Sequence, residues 1–137
     1  YVKPHGALYN DMMKDPKLFQ AMLSAIATYP KNLALMLQAT PDIERYKALA
    51  NEHSITIYAE AFADRCYNDE GYLLSRTQSG AVLNKAQMLL QVKQLVEQHS
   101  VTTISGKQLK LSVDSLCVHG DNIEGVKAIC DIRKMLG

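Results

Sequence analysis

Three short clusters in this sequence carry the side chains that acid–base and anion chemistry needs. The first is Lys3-Pro4-His5-Gly6, with Tyr9 and Asn10 close behind. The second is Glu60-Ala61-Phe62-Ala63-Asp64-Arg65, and the third is His119-Gly120-Asp121. A fourth set, Arg76 and Gln78 before Ser79-Gly80, lies in a long polar stretch of the kind that forms lids or binding loops. Histidine near neutral pH can serve as base, acid or metal ligand, so His5 and His119 are candidates for all three. Lys3 can hold a carboxylate or phosphate as a point charge. Glu60 in line with a strand must be paired or serve chemistry if buried. Asp64 is a further proton-transfer candidate, with Arg65 as its obvious local partner. Asp121 reads as a helix N-cap, and a Gly120-Asp121 helix start would offer backbone N–H groups to an anion. His53 and His99 read differently: both fall near helix C-termini, where a donor suits the exposed carbonyls.

These clusters need elements to position them, and the chain alternates two periodicities. Asp15-Pro16 opens a helix with Phe19, Met22, Leu23 and Ile26 on one face, and Pro30 ends it. Leu33 to Leu37 is an apolar run, as in a strand covered on both faces. Thr40-Pro41-Asp42 predicts the next helix start, with Thr40 as the cap, and that helix runs to about His53. Ile55 to Ala59 is a strand by its β-branched and aromatic content. A helix is predicted from Asn84 to about His99, with Met88, Val92, Leu95 and Val96 on one stripe. Residues 101–111 read as a β-hairpin, and Ser115 to Val118 as a further strand. Asp121 and Glu124 then have the spacing of a capping box. Strands alternating with helices predict an α/β fold with a parallel sheet. In such folds, sites form at the carboxyl ends of the strands, which is where the three clusters fall.

Composition excludes several classes. The net charge is +1 over 137 residues, without a basic stripe for nucleic acid or a polybasic patch for a membrane surface. No apolar run approaches a membrane span. Three cysteines without regular spacing, Cys66, Cys117 and Cys130, argue against a disulfide framework or a cysteine zinc site and for reduced cytosolic thiols. No generic nucleotide-binding or hydrolase motif occurs. The chain begins at Tyr1, with Val2 at what reads as the end of a strand, so upstream strands are expected to be missing from an incomplete single domain. Their absence would leave unpaired sheet edges and favour self-association.

Four blocks also carry a family resemblance. Val2-Lys3-Pro4-His5-Gly6-Ala7-Leu8-Tyr9-Asn10, Glu60 to Arg65, Arg76 to Ala81 and Cys117-Val118-His119-Gly120-Asp121 resemble, in order, signature blocks of the LamB/YcsF family. The resemblance implies the carboxyl-terminal portion of a (β/α) barrel similar to glycoside hydrolase and deacetylase barrels. It implies a cytoplasmic component of an ATP-dependent 5-oxoprolinase, its A subunit, acting with the B and C subunits to open 5-oxoproline to glutamate, with ATP as co-substrate. On that reading His5, Glu60 and Asp64 are the catalytic candidates. Lys3, Tyr9, Asn10, Arg65, Arg76, Gln78, His119 and Asp121 are the binding candidates, and no metal ligand is assigned. The family's amino-terminal blocks do not occur here, and Leu74-Ser75-Arg76 stands where V-P-R is commoner. Two alternatives are a metal-dependent deacetylase or amidohydrolase using His5 or His119, and a non-catalytic subunit that presents the lactam to its partners.

Overall fold

The computed structural model describes residues 1–137. Three strands, β1 (Leu35–Gln38), β2 (Ile57–Phe62) and β5 (Ser115–Cys117), form a parallel sheet in the order β1-β2-β5. Val2 adds a fourth position: it bridges Leu35 in parallel, its N–H donates to the Ala34 carbonyl and its carbonyl accepts from Met36. Spatial order along the sheet therefore follows chain order. Helices occupy the connections: α1 (Ala7–Asp11) and α2 (Pro16–Ala27) before β1, α3 (Ile43–Asn51) before β2, α4 (Lys85–Gln98) before β5, and α5 (Ile123–Leu136) after it. A two-stranded antiparallel ribbon, β3 (Ser100–Thr102) and β4 (Gln108–Lys110), lies within the last crossover. No helix is long and apolar enough to cross a membrane.

The helix starts follow local chemistry. Asp15 caps α2 by accepting from the Lys17 and Leu18 N–H groups, with Pro16 in the first turn, as the sequence predicts. Asn84 and Gln87 form a reciprocal capping box on α4. Two expected starts move. Helix α3 begins at Ile43 rather than after Thr40, because the Thr40 hydroxyl accepts from the Asp42 N–H and closes a turn first. Helix α5 is capped by Asn122, whose Oδ1 accepts from Gly125, so the expected Asp121–Glu124 box does not form. Strand β2 runs to Phe62, three residues past Ala59, because Glu60 to Phe62 pair with β5, Glu60 being shared with β1. Val96 faces solvent rather than the α4 stripe.

The core explains why this sheet end is rigid. Twenty-one buried residues form one cluster between the sheet and its helices, including Phe19, Leu23, Leu35, Leu37, Ile57 and Tyr67. A smaller cluster of Ala63, Val92, Ala128 and Ile132 joins β2 to α4 and α5. The buried Gln91 side chain on α4 donates to the carbonyls of Phe62 and Arg65, at 2.7 and 2.9 Å, which ties down the segment leaving β2. The fully buried Tyr67 hydroxyl accepts from the Phe62 N–H. Gly71 sits at φ +90°, where a Cβ would lie 2.9 Å from Pro41, while its carbonyl accepts from buried Gln38.

Candidate functional site

Strand β2 supplies the axis of the site. Side chains of a strand alternate between faces, so Glu60, Phe62 and the following Asp64 project to one side and Ala59, Ala61 and Ala63 to the other. The alanines let the helices approach closely; Ala63 packs on Val92 and Ala128. Glu60 and Asp64 are both buried, at 3% and 1% exposure, so each carboxylate requires partners.

Glu60 finds two. Its Oε1 accepts from the Lys3 ammonium at 2.7 Å and its Oε2 from the Tyr9 hydroxyl at 3.0 Å. Lys3 comes from the segment bridging β1, and Tyr9 from α1, so three chain segments meet on one carboxylate. The ammonium also lies 5.7 Å from the Tyr9 ring centroid and 5.9 Å from that of Phe62, within cation–π range. Burial opposes the Lys3 charge, but the Glu60 hydrogen bond and the surrounding negative charge outweigh it and hold the ammonium above its ordinary pKa. The same surroundings push the Tyr9 phenol far up, by burial first and then by the Glu60 charge. Cys117, 3.9 Å from Lys3, is pushed up to about 11, again by burial first and Glu60 second.

Asp64 builds the second centre. Its carboxylate receives His119 Nδ1 at 3.0 and 3.1 Å, the His119 backbone N–H at 3.2 Å and the Asn122 amide at 3.4 Å. An ionised Asp64 can only accept, so Nδ1 is the donor and Nε2 is the ring nitrogen left facing outward. The His119 side chain remains 25% exposed, and its ring stacks on Phe62 at 5.5 Å and 19°. Phe62 also meets Tyr9 edge-on at 5.9 Å. One aromatic ring thus separates a lysine–carboxylate pair from a histidine–carboxylate pair. The first can stabilise charge at a fixed point; the second can accept or release a proton at Nε2.

The expected Asp64–Arg65 pair does not form, because Asp64 is already committed to His119 and Asn122. Arg65 is buried at 7% exposure, donates through Nη2 to the Leu74 carbonyl, and has no partner for its Nε. Arg76 instead pairs with Asp121 at 2.7 Å on the surface. Two cavities flank these arginines. One, of about 340 Å³, is faced by Asp64, Asp121, Glu124 and Asn122; the other, of about 400 Å³, by Asn10, Lys14, Tyr72 and Ser75. Both share Arg65 and Arg76.

The structure therefore brings together Lys3, Tyr9, Glu60, Asp64 and His119, and sets Asn10, Arg65, Arg76 and Asp121 around the adjoining cavities. His5 and Gln78 are exposed, and neither side chain makes a hydrogen bond to the cluster. The expected sharing of protons between His5 and Glu60 or Asp64 has no contact to support it. Both Glu60 oxygens are occupied, which makes Glu60 the holder of Lys3 in this arrangement. Sequence reasoning missed Phe62, Asn122, Cys117 and Lys14. For Phe62 the signal was there: it lies midway between Glu60 and Asp64 at strand spacing. No group of three or more histidine, cysteine or carboxylate side chains converges as a metal site.

Comparison with known proteins supplies the context. A family model described as the LamB/YcsF family matches residues 1–137. A protein from Vibrio campbellii, named as the A subunit of 5-oxoprolinase, is 44% identical over 99% of this chain and 54% of its own length. A Pseudomonas fluorescens protein of the same name is 45% identical over 99% of this chain and 55% of its own. Among solved structures, the lactam utilization protein from Thermus thermophilus superposes with a TM-score of 0.81 at 25% identity, covering all of this chain and 55% of that one. The chain spans about half the length of the curated relatives it matches.

Proposed function

The chain belongs to the LamB/YcsF family, and from that premise we propose that it is part of the A subunit of a 5-oxoprolinase, which opens the lactam of 5-oxoproline to glutamate with hydrolysis of ATP. The observation that carries this reading is the pairing of two centres across Phe62: a lysine held by Glu60 and Tyr9, and an exposed-edge histidine held by Asp64. The names of the relatives and the lactam-utilization neighbour support the substrate class. The order of the parallel strands supports a (β/α) barrel, since it follows the chain without the reversal of a doubly wound sheet. The reduced cysteines suit a cytoplasmic protein. The naming of the relatives as A subunits supports action with partner subunits, here B and C.

A lactam is an unreactive amide, so ATP is proposed to phosphorylate its carbonyl oxygen before water attacks the activated carbon. Phosphorylation of the oxygen breaks the terminal phosphoanhydride bond and releases ADP. Attack of water forms the tetrahedral carbon, and its collapse breaks the ring C–N bond to leave an acyl phosphate; a second water then attacks that carbonyl and expels phosphate, leaving the carboxylate. His119 Nε2 takes the proton of the attacking water and returns it to the leaving ring nitrogen, while Asp64 stabilises the imidazolium. Lys3 stabilises negative charge at the activated oxygen.

The test is His119→Ala in the full-length protein, joined with its partners and assayed for 5-oxoproline-dependent ATP hydrolysis. The turnover number should fall by about 10²–10⁴-fold, as for loss of a positioned acid–base group. A near-normal rate would remove His119 from the chemistry and with it this reading of the site.

A further inference from the structure

The cavity beside the 73–76 loop has a lining that the lactam chemistry does not explain. Lys14, Arg65 and Arg76 all face it, together with Asn10, Tyr72 and Ser75, and no carboxylate does. Arg65 is the informative member. It is 7% exposed, yet no carboxylate pairs with it; it donates to one carbonyl and its Nε is unpartnered. A buried guanidinium is ordinarily paired with an anion, because leaving it alone forfeits its hydration without return. Burial, and then the nearby Arg76 charge, hold its pKa below the ordinary value, with Asp64 and Asp121 offsetting this only in part. Arg76 is tied only by an exposed pair with Asp121, 48% and 67% exposed, the kind of bond that is readily exchanged. The neighbouring cavity shares both arginines but carries Asp64, Asp121 and Glu124, so carboxylates outnumber the cations there.

We propose that the cavity lined by Asn10, Lys14, Arg65 and Arg76 is a polyphosphate subsite, which takes the phosphate chain of a nucleoside triphosphate. Three cations without a carboxylate match a triphosphate of similar opposite charge. A single lactam carboxylate would leave two positive charges uncompensated. Arg65 supplies a planar donor set suited to phosphate, Lys14 a mobile point charge, and Arg76 exchanges Asp121 for the ligand. The inference rests on the reading of the protein as one that uses ATP, and it adds where the nucleotide's charge is held.

The experiment is calorimetric titration of the full-length protein with inorganic pyrophosphate, ATP and 5-oxoproline separately. Pyrophosphate and ATP should bind, and their affinity should fall as salt rises. Lys14→Gln and Arg65→Gln should each weaken both by about tenfold, and Lys14→Gln should leave 5-oxoproline binding unchanged. Lys14 is exposed, so its variant reports on the subsite even where loss of Arg65 prevents folding. Failure of the unmodified protein to bind either phosphate ligand would overturn the proposal. So would a loss in the variants confined to 5-oxoproline, which would make the cavity a carboxylate pocket. Intact, Lys14-sensitive pyrophosphate binding in a complex that never turns over 5-oxoproline would leave the subsite standing and fail the lactam reading instead.

Discussion

Two ion pairs stand over the same end of this sheet with the same nitrogen–oxygen distance, 2.7 Å, and little else in common. In Lys3–Glu60 the carboxylate side chain is 5% exposed and the lysine 29%; in Arg76–Asp121 the side chains are 48% and 67% exposed. The Glu60 carboxylate of the first pair has lost most of its hydration and is completed by the Tyr9 hydroxyl. The exposed pair keeps water within reach and is screened by salt. The geometry of a salt bridge therefore says little about its worth; its surroundings decide. The first pair fixes a charge in place, whereas the second is a contact that a ligand can replace.

The sharpest way to break this comparison is to remove one partner of the buried pair. Lys3→Ala strands the Glu60 carboxylate at 3% exposure and should cost about 3–5 kcal/mol, read as a lower urea midpoint. The double replacement Lys3→Met with Glu60→Leu should recover much of that loss, because no buried charge remains. A Lys3→Ala cost below about 1 kcal/mol would place the pair in the exposed class and dissolve the distinction.

Next in size is Asp64→Asn. The amide keeps the volume but no longer stabilises a protonated His119 or fixes its Nδ1–H tautomer. On the proposed function, 5-oxoproline-dependent ATP hydrolysis by the full-length protein with its partners should fall by about a hundredfold, while the affinity for substrate changes little. An equal fall in affinity would mean that Asp64 acts in binding rather than in proton transfer.

The pH dependence sharpens the contrast further. Burial, and then the Glu60 charge, push the Cys117 thiol up to about 11 in the folded chain, against an ordinary value of 9.0. Between those values the unfolded chain has released its proton and the folded chain has kept it, so stability must fall as pH rises through this window. Lys3, raised above 10.5, and Tyr9, raised above 10.0, have the same sign: in each case the folded chain holds its proton longer. Denaturation followed from about pH 8 to 11 should show a steady loss beginning near the ordinary thiol value. Cys117→Ala should flatten its earliest part. A stability that rises in this range would contradict the buried electrostatics.

Much of this arrangement was legible before any coordinates. Pattern and turn chemistry located the helix at Pro16, the hairpin and the parallel strands, because those signals are local. The polar clusters were picked out by their place at strand ends, and the structure puts Glu60, Asp64 and His119 at or just beyond the ends of β2 and β5. What failed was pairing, since partners are chosen by the fold and not by proximity in sequence. Asp64 lies next to Arg65 along the chain but is bound by His119, 55 residues away. Glu60 takes its partner from 57 residues upstream. Capping failed at Asp121 for a related reason: the adjacent Asn122 has the better position for Gly125, which frees Asp121 for Arg76.

The exposed pair should show the smallest effect on stability and an effect of opposite kind on binding. Asp121→Asn removes a carboxylate that is open to solvent, so the urea midpoint should not shift measurably. Arg76, released from its 2.7 Å contact, would then meet pyrophosphate without first giving up a partner, and pyrophosphate affinity should rise modestly. Arg76→Ala should leave the midpoint equally untouched but lower that affinity. The Arg76 hydrogen bond, and then its charge, hold the Asp121 carboxyl below its ordinary pKa, so the pair stays ionised at the pH of the titrations. Paired titrations at low and high salt would check both arms. If Asp121→Asn weakened pyrophosphate binding, Asp121 would be orienting Arg76 toward the ligand rather than competing for it, and the exposed pair would be as much a fixed part of the site as the buried one.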